Sequence, residues 1–243
     1  MENSLSISLI EDHRPTRALL EIGVCYALLL ATLWSARPLR TYFGISAIAW
    51  MLIVLLFAER TAFSFGLGVK GLRESLWALG LAICAVTIVF LCAARLGTLR
   101  YHQMLSPRLP LSGYFVWSFI QQFVLQNLFF SRLLSLLRPS TAIFAGGLML
   151  SLAHLPNPPL VIATLFWGLA ACWLFFHYRN LYVIGIMHFL FGISLAMCVP
   201  TSLLPNMRVG HGYIHCHDAS RAAPAQLGSA RSAAPQQKPR QLR

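Results

Sequence analysis

Apolar residues occur along this chain in long blocks rather than in alternation. The blocks fall at roughly 19–35, 41–58, 75–97, 113–134, 140–155, 158–178 and 181–200. A helix needs about 20 apolar residues to cross a hydrocarbon layer of about 30 Å, and most of these blocks approach that length. Backbone amides in lipid must be satisfied within the segment, and a membrane barrel would show a period of two that is absent here, so every block is expected to be a helix. Turn chemistry separates them: Ala36-Arg37-Pro38, Phe65 to Gly71, Ser106-Pro107-Arg108 with Pro110, Arg138-Pro139-Ser140, and Pro156-Asn157-Pro158-Pro159. The pattern predicts an all-α, polytopic membrane bundle of about seven transmembrane helices.

Composition agrees with this reading. The 243 residues are 57% hydrophobic and 11% charged, with a mean hydropathy of +0.66. Soluble domains carry roughly 25% charged residues. The net charge of +12 could suggest nucleic acid, but the 19 Lys and Arg residues sit mainly in short loops and in the tail, so basic loops flanking membrane spans account for it and no nucleic-acid partner is expected. Their distribution, with Arg132 counted among the loop residues, slightly favours a cytoplasmic N-terminus. The polar start contains Glu2, Glu11 and Asp12, unlike a secretory leader, so the first block reads as a retained span.

Four regions follow: a polar segment at 1–18, N-terminal spans at 19–112, a core of spans at 113–200, and a basic, largely disordered tail at 201–243. The tail's arginines could meet anionic lipid headgroups, though a solvated tail is the simpler account. Cys25, Cys84, Cys92, Cys172 and Cys198 lie in apolar blocks and behave as small hydrophobes, with no disulfide framework. The expected location is an integral membrane one, the bacterial cytoplasmic (inner) membrane.

Candidate chemistry is confined to a few polar residues inside the blocks. No carboxylate occurs from residue 75 to 217. The fourth block holds Gln121, Gln122, Gln126 and Asn127, the fifth ends at His154, and the seventh contains His188. Gln122 and Gln126 share a helix face, with Gln121 about 100° away, so at least two amides can face one polar cavity. Interhelical glue is the alternative for any single amide. A lone histidine is more often a packing residue than a catalyst, whereas two facing one amide cluster would form a site. His154 and His188 stand 34 residues apart, so they can share a site only through tertiary packing. The stretch His211-Gly212-Tyr213-Ile214-His215-Cys216-His217-Asp218 could bind a metal adventitiously, but it is assigned no role.

Gln121-Gln122-Phe123-Val124-Leu125-Gln126, Leu150-Ser151-Leu152-Ala153-His154 and His188-Phe189-Leu190-Phe191-Gly192 occur in this order, with His154 32 residues after Gln122. Phe166-Trp167-Gly168 and Arg179-Asn180-Leu181 lie between the second and third. Together they resemble the three motifs of the CAAX protease and bacteriocin-processing (Abi) family of intramembrane endopeptidases, over roughly 113–192. Amides stand where that family has Glu-Glu-x-x-x-Arg, Leu150 where it has Phe, and Gly192 where it has Asn or a similar polar residue.

The resemblance implies that Gln122 and His154 act on water while His188 steadies the oxyanion. With no Glu, His154 is the expected base and Gln122 the water orienter, and Gln121, Gln126 and Asn127 line the cavity. Two imidazoles and amide oxygens make a poor zinc site, so no tightly bound metal or other cofactor is expected. The implied function is cleavage of a peptide bond near the membrane surface, in a lipidated or membrane-anchored substrate. A non-catalytic relative that binds or sorts such segments, as a chaperone, immunity or sorting factor, is the alternative that the missing carboxylates suggest. A transporter is disfavoured by the lack of an internal repeat and of an intramembrane carboxylate.

Overall fold

The computed structural model describes residues 15–57, 65–69, 71–100, 111–200, 202–204 and 207–216. Its elements, in chain order, are α1 (Pro15–Trp34), α2 (Leu39–Leu56), α3 (Leu72–Arg95), α4 (Leu111–Phe123), a π-helical segment (Val124–Phe130), α5 (Ser131–Leu136), α6 (Pro139–Leu152), α7 (Pro158–Tyr178) and α8 (Leu181–Cys198). Residues 210–216 form one further short helix. No strand occurs among the described residues, as the block pattern predicts.

Among the described residues five helices, α1, α2, α3, α7 and α8, are long and apolar enough to cross a membrane. In their most apolar stretches 44% of residues in α7 and α8 are buried within the protein, against 11% in α2 and α3. The pair α7 and α8 is thus central, while the exposed Leu81, Ile88 and Leu91 of α3 and Leu52 and Leu56 of α2 need lipid as their solvent. The chain is an integral membrane helical bundle.

Two predicted spans take forms that the blocks did not indicate. The fourth is a continuous helical run, α4 through α5, but with a π turn in its middle, the kind of irregularity that recurs at functional sites. The fifth ends at Leu152 after 14 residues, a rise of about 21 Å that falls short of the hydrocarbon thickness. Its end, and His154 just beyond it, is therefore set in from a full crossing.

Local chemistry sets the boundaries. Pro139 opens α6, and Asn157 caps α7 by accepting from the Leu160 amide at 3.4 Å, with Pro158 and Pro159 following. Asn180 caps α8 in the same way through the Val183 amide at 3.1 Å. Between α7 and α8 only Arg179 and Asn180 intervene, with Arg179 left-handed at φ 48°. Glycines let α6 and α7 touch backbone to backbone: a Cβ added at Gly168 would stand 2.8 Å from the Gly147 Cα. That close approach brings the end of α6, and so His154, against the central pair.

Arg132 is not a loop residue, contrary to its use in the orientation count. It lies inside α5 at 1% exposure, and its Nε donates to Glu21 of α1 at 2.7 Å. A charge in a hydrocarbon setting is tolerated when paired within the bundle, and that pairing overrides the tendency of arginine to mark a loop. Of the segment read as tail, residues 202–204 and 207–216 are described. The latter are tied down where the Gly210 amide donates to the Leu155 carbonyl at 2.8 Å and the Asn157 side chain donates to the Arg208 carbonyl at 3.2 Å. His217, Asp218, the rest of the tail and the polar segment at 1–14 lie outside the described residues.

Candidate active site

Two of the three residues singled out from distant blocks, Gln122 and His188, meet in the interior of the bundle, with His154 nearer its end. Gln122, on the last turn of α4, and His188, in the first half of α8, are 0% and 5% exposed. Gln122 Nε2 lies 2.8 Å from His188 Nδ1, and Gln126 Nε2 donates to Gln122 Oε1 at 3.2 Å. His154 is half-buried in the turn after α6 and close enough to His188 for the two to interact electrostatically.

These hydrogen bonds assign the two tautomers. An amide N–H can only donate, so Nδ1 of neutral His188 is the acceptor and its proton sits on Nε2. A carbonyl can only accept, so Nδ1 of His154 carries the proton that it donates to the Leu150 carbonyl at 2.7 Å. That leaves a lone pair on Nε2 of His154. One ring thus offers a base and its neighbour a donor. Trp167 of α7 packs against His188 with ring centroids 5.6 Å apart, and its buried indole N–H has no hydrogen-bond partner among the described residues.

The surrounding amides divide. Gln126 joins the chain through Gln122 and also contacts the Cys172 thiol. Gln121 is half-buried about 100° round the helix and takes no part in that chain. Asn127 faces the other end of the bundle, where its side chain donates to the Phe65 carbonyl at 3.2 Å, and so is not brought to the imidazoles. Gln126 and Asn127 are consecutive, so about 100° of helical rotation already parts their side chains. Gln122 itself spends its oxygen and one N–H on Gln126 and His188.

Sequence reasoning assigned no site role to Glu21, Arg132, Tyr114 or Ser118. Glu21 and Arg132 form a buried ion pair, joined by Arg17 at 2.8 Å from Glu21, and Arg132 Nη1 donates to the Asn127 carbonyl inside the π segment. Tyr114 and Ser118 precede Gln122 by eight and four residues on the same face of α4, a four-residue spacing that could have signalled them. The His211–His215 ring pair, 6.2 Å apart on its short helix, lines a separate groove of about 550 Å³ with Arg40 and Arg208, at the end of the bundle where His154 lies. Among the described residues no three His, Cys, Asp or Glu side chains cluster as metal ligands.

The fold is a polytopic membrane bundle with Gln122 and His188 hydrogen-bonded in its interior. Residues 107–194 match the family described as type II CAAX prenyl endopeptidase Rce1-like. The match spans α4 to most of α8 and bears out the resemblance to the CAAX protease and bacteriocin-processing family read from the three motifs. No curated protein and no solved structure matches the chain.

Proposed function

We propose that this protein is an intramembrane endopeptidase that hydrolyses a peptide bond near the membrane surface in a lipidated or membrane-anchored substrate. The observation that carries the reading is the buried hydrogen bond between Gln122 Nε2 and His188 Nδ1 at 2.8 Å, with His154 held through Nδ1 by the Leu150 carbonyl at 2.7 Å.

In this reading His154 Nε2 takes a proton from water as the water oxygen bonds to the substrate carbonyl carbon. His188 Nε2–H donates to the carbonyl oxygen as it gains charge, a contribution of the order of 3–4 kcal/mol for a well-placed donor. The C–N bond then breaks while the His154 imidazolium returns its proton to the leaving amine. Gln122 is a positioning residue that holds His188 in the donor tautomer, a task an amide performs without the charge of a carboxylate. The ligand set of imidazoles and amides argues for a reaction without a metal. The Rce1-like match, whose description specifies prenyl endopeptidase, supports a prenylated segment as the first substrate to try, and bacterial cytoplasmic membrane is the proposed location.

The test uses full-length protein in phosphatidylcholine vesicles with a farnesylated fluorogenic peptide. Cleavage by the wild type, lost in both His154→Ala and His188→Ala, is expected. Cleavage that survives either substitution refutes the mechanism. Capture of the peptide without cleavage would instead favour the non-catalytic reading that the absent carboxylates suggest.

A further inference from the structure

We propose that the groove beside the turn of His154 binds the phosphate of an anionic membrane lipid, held by Arg40, Arg208, His211 and His215. The inference concerns binding alone and stands apart from the endopeptidase reading.

Two segments far apart in the chain build the groove. Arg40 comes from the first turn of α2, and Arg208, His211 and His215 come from residues 207–216; together they line a hollow of about 550 Å³. Its wall is fastened to the bundle. The Gly210 amide donates to the Leu155 carbonyl at 2.8 Å, and the Arg208 carbonyl accepts at 3.2 Å from Asn157, the buried cap of α7. Gly210 stands at φ 53°, and a Cβ there would collide with the Leu33 carbonyl, so glycine lets this segment sit on the end of α1. His211 and His215 lie one turn apart and line the groove side by side, with ring centroids 6.2 Å apart.

No counter-charge meets these cations. Among the described residues both ion pairs use Glu21, and the carboxylates Glu21 and Glu74 lie in the first two turns of α1 and α3, at the opposite end of the bundle. Arg40 donates its Nε to the Thr32 carbonyl at 3.3 Å, which fixes the guanidinium and leaves its terminal nitrogens to the groove. Arg37, Arg95 and Arg100 lie at the same end, so the field there is positive throughout. A guanidinium is a planar fork of donors that fits phosphate oxygens, and a phosphate here would meet two such forks with imidazoles beside them.

The rim argues for a lipid over a soluble anion. Leu39 beside Arg40, Ile214 beside His215 and Leu155 beside Gly210 are 56%, 42% and 39% exposed. Large apolar side chains next to unpaired cations, where the spans end, fit an amphiphile with its phosphate in the groove and its acyl chains on the rim. Inorganic phosphate would leave that rim bare. Because the wall is hydrogen-bonded to Leu155 and Asn157, a seated lipid also braces the turn that carries His154.

The experiment follows thermal unfolding of the full-length protein in dodecyl maltoside micelles with added phosphatidylglycerol, phosphatidylcholine or inorganic phosphate. Native mass spectrometry counts the lipids retained. Phosphatidylglycerol should stabilise the protein at a concentration at least about tenfold lower than phosphatidylcholine, and millimolar inorganic phosphate should not stabilise it. Arg40→Gln with Arg208→Gln should weaken phosphatidylglycerol binding by about 25-fold, about fivefold per arginine. Arg40→Lys with Arg208→Lys should stay within about threefold of wild type, and Arg73→Gln, at the opposite end, within about twofold. Equal action of the two lipids on wild type, or a Gln pair within about twofold of it, would overturn the inference. Inorganic phosphate as effective as the lipid would overturn the lipid as ligand. Should the Gln pair unfold, Arg208→Gln decides, because that side chain is exposed: a loss of about fivefold supports the site, and no loss overturns it.

Discussion

Removing Glu21 should be among the most damaging single changes available to this bundle. Arg132 is 1% exposed, and its charge is met by one carboxylate oxygen at 2.7 Å and by the Asn127 carbonyl. Glu21→Leu would leave that guanidinium buried with only a backbone acceptor, which costs about 3–5 kcal/mol when one member of a buried pair is lost. Arg17 also binds Glu21, at 2.8 Å, but it is 47% exposed, so solvent screens the pair and Arg17→Ala should cost only about 0.2–1 kcal/mol. Deleting both buried charges, as Glu21→Leu with Arg132→Met, removes the orphan and should return most of the loss, since an apolar pair of similar volume is often neutral. Reversible unfolding in mixed micelles, titrated with sodium dodecyl sulfate, measures these proteins together with wild type and the single variant Arg132→Met. A loss below about 1 kcal/mol for Glu21→Leu, or a double variant whose loss equals the sum of the singles, would refute the reasoning. Because Arg132 also holds a carbonyl of the π segment, Glu21→Leu should loosen the backbone that carries Gln126 as well.

Two further outcomes test the scaffold by the same titration. Gly168→Ala would push a methyl against the Gly147 backbone at 2.8 Å, so α6 and α7 must separate, and a loss of about 1–3 kcal/mol is expected; an unchanged midpoint would contradict the close approach. Asn180→Ala removes the cap on α8 and the donor to the Gly68 carbonyl at 3.2 Å, for about 1 kcal/mol or more, and Asn180→Asp should lose less because the capping oxygen survives. Equal losses from the two substitutions would show that the cap contributes nothing.

The apolar blocks by themselves determined the environment and the secondary structure. A chain with this little charge, interrupted only at Pro, Gly and Asn clusters, must place helices in lipid because no other conformation satisfies its amides there. The resemblance of the segments around Gln122, His154 and His188 to the motifs of the CAAX protease and bacteriocin-processing family nominated them as a site.

Other features were decided only in three dimensions, because they depend on contacts between residues far apart in the chain. Arg132 looks like a loop arginine until Glu21, 111 residues away, is brought to it. The π turn at Val124–Phe130 leaves no periodic signature in so apolar a stretch. Which nitrogen of each histidine holds the proton follows from what lies opposite it: an amide for His188, a carbonyl for His154. Gly192 alone reads as a lost side chain; the packing of α4 on α8 fills that space with the Tyr114 hydroxyl.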